Sequence, residues 1–176
     1  GTKNNQLKPV KILNNVKDVF LQYERSAAVT NGGDLYCWGY NYGTIGNGTT
    51  TNQLAPVKVL ENVESVFLGK YHSAAVTKNG DLYCWGSNIC GQIGNGTTIN
   101  QLTPTKVLSN IKEVSLGNNY SLAVTKNGNL YCWGRKRWCG LGEAETEIGQ
   151  LTPVKVLSNV DNIYTGFTHS AAVTKN

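Results

Sequence analysis

A unit of 47 to 49 residues repeats along this sequence. The string Leu-Tyr-Cys-Trp-Gly begins at positions 35, 82 and 130, and a Gln-Leu pair begins at positions 6, 53, 101 and 150. Two independent markers therefore keep the same period. Repeats of this length are typical of solenoids and propellers, in which each unit buries its apolar surface against the next one. The chain must therefore fold as copies of one small unit packed side by side.

Each unit contains four short runs of β-branched, aromatic and small residues. In the second copy these runs are 57–60, 63–68, 73–77 and 81–85. Runs of four to six residues separated by turn residues are too short for helices and indicate strands. The pair Asn79-Gly80 favours a two-residue hairpin, which needs positive φ at both central positions. The unit is therefore predicted to be a four-stranded antiparallel sheet.

Such a sheet has two faces and must hide both against neighbouring copies. This requirement predicts an all-β fold, a β-propeller of four-stranded antiparallel blades. We expect one partial propeller over residues 1–176, with about three and three-quarter blades. The repeat units are approximately 1–47, 48–95, 96–143 and an incomplete 144–176. Because the chain has no Met and both ends fall inside the period, we also expect it to be a segment of a longer protein.

Two motifs carry a family resemblance over essentially the whole chain. Residues 85–97 read Trp-Gly-Ser-Asn-Ile-Cys-Gly-Gln-Ile-Gly-Asn-Gly-Thr, and residues 69–76 read Gly-Lys-Tyr-His-Ser-Ala-Ala-Val. Both motifs recur in phase, and they resemble the repeats of the regulator of chromosome condensation family. The resemblance implies a seven-bladed ring, of which this chain would form about half. It also implies an alternative function, guanine-nucleotide exchange on a small GTPase, although no unit carries an insertion of the kind associated with that activity.

The third copy departs from the repeat pattern in one loop. Lys136 replaces the signature asparagine, and an acidic run follows where the other copies have Asn-Gly-Thr-Thr. Loops can vary without harming the sheet, so binding function concentrates in them. The candidate partner-binding residues are Arg135, Lys136, Arg137, Trp138, Glu143, Glu145 and Glu147. The alternative is a solvated loop whose charges pair with each other.

Other repeated residues are interpreted as structural. Trp38, Trp85 and Trp133 occupy one strand position and are expected to pack between blades or near the strand end. His72 and His169 share a register that Arg25 and Tyr120 occupy in the other copies. A catalytic histidine would not be exchanged in this way. We therefore expect a polar group that hydrogen-bonds the backbone of a neighbouring loop.

Composition excludes several function classes. Only 15% of the residues are charged and the formal net charge is +5, with no interleaved stacking aromatics along the repeated lysines, so specific nucleic-acid binding is not expected. No apolar run reaches the roughly 18 residues of a membrane helix. The five cysteines form no Cys-x-x-Cys pair, and no catalytic motif is present. We therefore expect no metal, no cofactor and no enzymatic activity.

The favoured function is a protein-protein interaction module, a rigid scaffold that presents variable loops to another protein. The alternatives are the exchange activity named above and a structural repeat segment of a larger surface protein. Self-association through exposed terminal blades is also expected, because cut blades expose apolar faces. The sequence leaves open whether Cys90 and Cys139 pair. It also leaves open whether the protein is cytoplasmic or belongs to a bacterial cell surface or secreted protein.

Overall fold

The computed structural model describes residues 1–138 and 149–175, and these residues contain fourteen β-strands and one short 3-10 helix at Lys136–Trp138. The four-stranded antiparallel sheets that the sequence predicts are confirmed. We call the sheets blades 1 to 4 in chain order. Within the described residues, no helix has the length and apolarity to cross a membrane.

Three blades have four strands and the fourth has two. Blade 1 contains β1 (Val16–Gln22), β2 (Arg25–Thr30), β3 (Leu35–Gly39) and β4 (Gln53–Leu60). Blade 2 contains β5 (Val63–Leu68), β6 (His72–Thr77), β7 (Leu82–Gly86) and β8 (Gln101–Leu108). Blade 3 contains β9 (Ile111–Leu116), β10 (Tyr120–Thr125), β11 (Leu130–Gly134) and β12 (Gln150–Leu157). Blade 4 contains β13 (Val160–Thr165) and β14 (Ser170–Thr174).

Each complete blade takes its outer strand from the following sequence unit. The long loop after β3 returns the chain to the free edge of that strand, where Tyr36 pairs with Lys58 and Cys37 with Val57. The strand run 57–60 therefore closes blade 1 and does not pair with β5. For the same reason β12 belongs to blade 3, and the chain holds about three and a half blades where three and three-quarters were expected.

The turn between the second and third strands of a blade differs from the expected type. In blade 2 the backbone N–H of Gly80 donates to the Thr77 carbonyl at 2.8 Å, and Gly80 has a φ of 82°. Asn79 does not have positive φ. The expectation of positive φ at both central positions was wrong. The connection is instead a three-residue loop, in which a type I turn is followed by glycine in the left-handed region.

The hydrophobic cores lie between blades. One core joins Ala27, Val29 and Leu35 of blade 1 to Val63, Val66 and Trp85 of blade 2. Equivalent residues form a second core between blades 2 and 3 and a third between blades 3 and 4. The first strands also contact each other from blade to blade. Adjacent blades therefore hide their facing apolar surfaces against each other, which is the burial on which the predicted architecture depends.

Candidate functional site

The two ends of the blades carry different kinds of connection. At one end lie inner loops, which join the first and second strands (23–24, 69–71, 117–119 and 166–169). At the same end lie outer loops, which join the third and fourth strands (40–52 and 87–100, and in blade 3 a loop of which residues 135–138 and 149 are described). We call this end the loop face. The opposite end carries the short hairpins and the connections between blades, and we call it the hairpin end. The copies differ most in sequence on the loop face.

A buried asparagine organises the outer loops of blades 1 and 2. In blade 2 the Oδ1 of Asn88 accepts the backbone N–H of Ile93 at 2.9 Å. Its Nδ2 donates to the carbonyls of Thr97 at 2.8 Å and Ile99 at 3.1 Å. Asn41 makes the corresponding bonds in blade 1. Lys136 stands at this position in blade 3 and lies in the 3-10 helix, so that loop begins differently.

A tryptophan of the following blade holds each of the outer loops of blades 1 and 2. The indole N–H of Trp85 in blade 2 donates to the Thr44 carbonyl of blade 1 at 2.9 Å, and Trp133 donates to the Gln92 carbonyl at 2.9 Å. Both indoles are fully buried. Trp38 is only half-buried, since no blade precedes it among the described residues. The outer loops of blades 1 and 2 are therefore held in place by a hydrogen bond from the blade that follows them.

The glycine of the loop signature is required by this contact. Gly94 has a φ of 84°, a conformation that side chains rarely adopt. A Cβ on Gly94 would lie 2.7 Å from Nε1 of Trp133. Both the backbone conformation and the space beside the indole therefore demand glycine.

The position shared by Arg25, His72 and Tyr120 forms a second link between blades. Arg25 donates through Nη2 to the carbonyls of Gly69 and His72, and Tyr120 donates to the carbonyl of His169 at 2.6 Å. Both side chains donate to backbone carbonyls of the following blade. His72 differs, because its Nε2 lies 2.8 Å from the Oγ of Ser121. His169 itself is exposed in blade 4.

His72 is held in its neutral form. The Ser121 hydroxyl donates to the Gln92 carbonyl at 2.8 Å, so it must accept from the imidazole, and Nε2 carries the proton. Nδ1 is buried and has no hydrogen-bond partner in the described part of the chain. Burial, with a smaller contribution from the Arg25 charge, lowers the pKa of His72 from 6.5 to about 3.

This pKa predicts acid destabilisation of the fold. The unfolded chain binds a proton near pH 6.5 and the folded chain does not until about pH 3, so stability is lost as the pH falls through this window. The expected contribution is up to about 1.4 kcal/mol per pH unit. We expect His72→Gln to remove this contribution when the free energy of unfolding is measured between pH 7 and pH 4. The exposed control His169→Gln should retain it, and an unchanged slope in His72→Gln would contradict the assignment.

Exposed aromatic side chains gather on the loop face between blades 1 and 2. They line an open groove of about 500 Å³. We call it the aromatic groove, and its lining residues are Gln22, Tyr23, Glu24, Arg25, Tyr40, Tyr42, Thr44, Lys70 and Tyr71. Tyr40 and Tyr42 pack edge to face with ring centroids 4.7 Å apart, and their hydroxyls lie 2.7 Å from each other. The Tyr42 hydrogen bond is the main cause that raises the pKa of Tyr40.

The inner loops extend this surface across all four blades. A second hollow of about 250 Å³ shares Gln22, Tyr23 and Lys70 with the aromatic groove and reaches Phe167 in blade 4. The ammonium of Lys70 lies 4.8 Å from the ring centroid of Tyr71 and 5.8 Å from that of Phe167. Aromatic rings and a cation are thus presented together where the loops of neighbouring blades meet.

The residues predicted to bind a partner lie in the outer loop of blade 3. Arg135, Lys136 and Arg137 follow β11 on the loop face, and Arg137 is exposed. Glu143, Glu145 and Glu147 lie outside the described residues, as does the side chain of Trp138. The partner-binding role of this loop stays a prediction.

The aromatic groove was not among the sites predicted from the sequence, although the sequence carries a signal for it. Tyr40 and Tyr42 stand where the second copy has Ser87 and Ile89, so the tyrosines belong to one copy only. Tyr23 is 74% exposed and Tyr42 is 68% exposed. Aromatic residues at positions that the repeat does not require would have indicated a binding surface.

The repeated cysteines are part of the cores. Cys37, Cys84 and Cys132 are buried, and burial raises the pKa of the Cys37 thiol to about 12, which disfavours a reactive thiolate. The possible partner of Cys90 that the sequence left open, Cys139, lies outside the described residues. Over residues 1–138 and 149–175, no three His, Cys, Asp or Glu side chains come together as a metal site would require.

The hairpin end and outer strands carry paired charges. Lys58 lies 3.0 Å from Asp34 and 2.8 Å from Glu61, and Lys106 lies 2.8 Å from Asp81. Glu61 and then Asp34 raise the pKa of Lys58. The lysines that repeat along the outer strands are therefore neutralised at these two positions, which agrees with a solvated edge more than with a polyanion-binding stripe.

Side-by-side antiparallel sheets with a core at every junction define a β-propeller, here in a partial form. Family models described as "Regulator of chromosome condensation (RCC1) repeat" match residues 32–76 and 79–124, and a related model of the same description matches residues 63–92. The first two ranges cover more than half of the chain. The chain therefore belongs to the regulator of chromosome condensation repeat family.

Solved structures show the same fold. Human WBSCR16 is 20% identical with a TM-score of 0.80, over 96% of this chain and 48% of that one. Prp20p from Saccharomyces cerevisiae is 24% identical with a TM-score of 0.78, over 93% of this chain and 45% of that one. The chain thus spans about half the length of these structures. No curated protein matches the sequence.

Proposed function

We propose that this chain is a non-catalytic protein-interaction module whose loop face binds a partner protein. The observation that carries the proposal is the cluster of exposed tyrosines around the aromatic groove. Tyrosine, tryptophan and arginine dominate the energetics of protein interfaces, and soluble proteins rarely expose such clusters without use.

The related structures support a protein as the partner. The description of the Prp20p structure names its binding to Gsp1p and histones, and another structure shows Kap60 bound to the same yeast protein. Those partners belong to Prp20p. What they support here is the class of ligand, because a rigid propeller of this family serves as a surface for other proteins.

Substitution of two groove tyrosines tests the proposal. We expect the double variant Tyr23→Ser, Tyr42→Ser to capture at least tenfold less crosslinked partner from the native source than the unaltered chain. The reason is that removal of two interface anchors costs more than about 1.4 kcal/mol of binding free energy. Tyr164→Ser is the matched control, because Tyr164 is 59% exposed on β13 but lines neither the aromatic groove nor the second hollow. Equal capture by the double variant and the control would refute the loop face as the binding surface.

The same experiment separates the alternatives. Reversal of Arg135 and Arg137 to glutamate tests the outer loop of blade 3, and unchanged capture would assign binding to the groove alone. Release of labelled GDP from small GTPases, measured with the same chain, tests the exchange activity that the family resemblance implies. A chain that captures nothing and exchanges nothing would fit the structural repeat segment instead.

A further inference from the structure

A buried positive charge lies beneath the aromatic groove. The Arg25 side chain lines the groove, yet Arg25 is only 7% exposed. Its Nη2 donates to backbone carbonyls, whereas Nη1 is buried and has no hydrogen-bond partner in the part of the chain that the structure describes. Burial lowers the pKa of Arg25 to about 10, so the guanidinium stays charged at neutral pH. A buried charge without a counter-ion is unfavourable and attracts an anion.

Lys70 adds a second cation at the surface of the groove. Lys17, Lys58, Lys106 and Lys112 each lie within 4 Å of a carboxylate. Lys70 makes no such pair with any described residue, and its ammonium lies over the rings of Tyr71 and Phe167. Hydrogen bonding with Tyr71 is the main cause that raises its pKa, so it too remains charged.

The lining of the groove carries one more positive than negative charge, because Arg25 and Lys70 stand against one acidic residue. Glu24 is the acidic residue among the lining residues, and it is exposed. It forms no ion pair with Arg25 or Lys70, which would need a separation of 4 Å or less. One hydroxyl of the hydrogen-bonded Tyr40–Tyr42 pair, together with the Tyr71 hydroxyl, can donate to an anion, and the three rings supply apolar walls. The groove therefore combines positive charge with surfaces that suit a carbon chain.

We infer that the aromatic groove binds an acidic segment of the partner protein, with a glutamate carboxylate at Lys70 above the buried Arg25 and its methylene groups against the tyrosine rings. This inference rests on the proposed function and names the chemistry of the partner. Charge complementarity selects the occupant, because a basic segment would meet two cations and a purely apolar one would leave both without a counter-ion.

A fluorescein-labelled octaglutamate peptide provides the test, with binding to the chain followed by fluorescence anisotropy at 50 mM salt. The native chain should bind the peptide, and Lys70→Glu should weaken the affinity at least tenfold. Lys126→Glu is the matched control, because Lys126 is an exposed lysine in a turn at the hairpin end. The affinity of this variant for octaglutamate should stay within twofold of that of the native chain. Octalysine should not bind.

Three results would overturn the inference. They are no octaglutamate binding at millimolar peptide, equal affinity for Lys70→Glu and Lys126→Glu, and equal binding of octalysine. Any of them can occur while partner capture still depends on Tyr23 and Tyr42, in which case the proposed function stands and only the acidic segment fails. If the chain binds octaglutamate specifically but partner capture does not depend on Tyr23 and Tyr42, the anion site stands and the proposed function of the loop face fails.

Discussion

Replacement of Trp85 with alanine is expected to destabilise the chain by about 3 to 5 kcal/mol, the usual cost when a large buried aromatic side chain is removed. The indole is fully buried in the core between blades 1 and 2. The substitution would open a cavity there and also remove one of the two donors to the Thr44 carbonyl, which would keep only the Ser73 hydroxyl. Denaturant unfolding followed by far-UV circular dichroism measures the loss.

Trp38→Ala is the matched control for this prediction. Trp38 occupies the same position of the Leu-Tyr-Cys-Trp-Gly strand, but it is half-buried because no described blade precedes it. Its replacement should cost less than half as much as that of Trp85. Equal losses for the two variants would show that the tryptophan acts within its own blade, and the interpretation of Trp85 as a link between blades would fail.

Asn88→Ala is expected to cost about 2 to 4 kcal/mol, since three bonds from a buried amide to the backbone disappear together. The bonds to Ile93, Thr97 and Ile99 hold the outer loop of blade 2 closed. Once they are lost, the Gln92 carbonyl that accepts from Trp133 is no longer fixed. Limited proteolysis should therefore cut within 87–100 in the variant before the rest of the chain.

The control for this loop is Asn79→Ala at the hairpin end. Asn79 is exposed and does not have positive φ, so alanine fits its backbone without strain. Its replacement should change the free energy of unfolding by less than about 0.5 kcal/mol, as is usual for surface substitutions. If Asn88→Ala proves equally mild and the loop stays resistant to protease, the asparagine does not organise the loop.

The sequence predicted the strands well because the repeat supplies several copies of the same evidence. Alternation, turn residues and a fixed period agreed in every copy, and the sheets and the propeller class followed from them. Which four consecutive strands form one blade could not be predicted in this way. A periodic sequence has no natural starting point, and the pairing of β4 with β3 depends on how the loop 40–52 returns in space.

The sequence can indicate that Tyr40 and Tyr42 are not required by the repeat, but it cannot show that they form a groove with Tyr23 and Tyr71. Tyr23 belongs to an inner loop of blade 1, Tyr42 to an outer loop, and Tyr71 to an inner loop of blade 2. Only the packing of successive blades brings these loops together. A charge run such as 135–137 is visible in one stretch of sequence, whereas a surface assembled from separate loops is not.

Both flanks of the partial propeller expose apolar side chains. Val19 and Leu21 of blade 1 are 57% and 74% exposed, and Tyr164 and Val173 of blade 4 are 59% and 49% exposed. In the inner blades the equivalent faces are covered by a neighbour. This exposure supports self-association through the terminal blades, which stays a prediction.

The three separate cores also determine the order in which the blades are expected to unfold. Blades 2 and 3 are each anchored on two sides, while blades 1 and 4 are anchored on one. Because each core couples only adjacent blades, we expect opening of this chain to start at blades 1 and 4 and to proceed inward one blade at a time. A molecule that caps either terminal blade would therefore slow the opening of blades that it never touches.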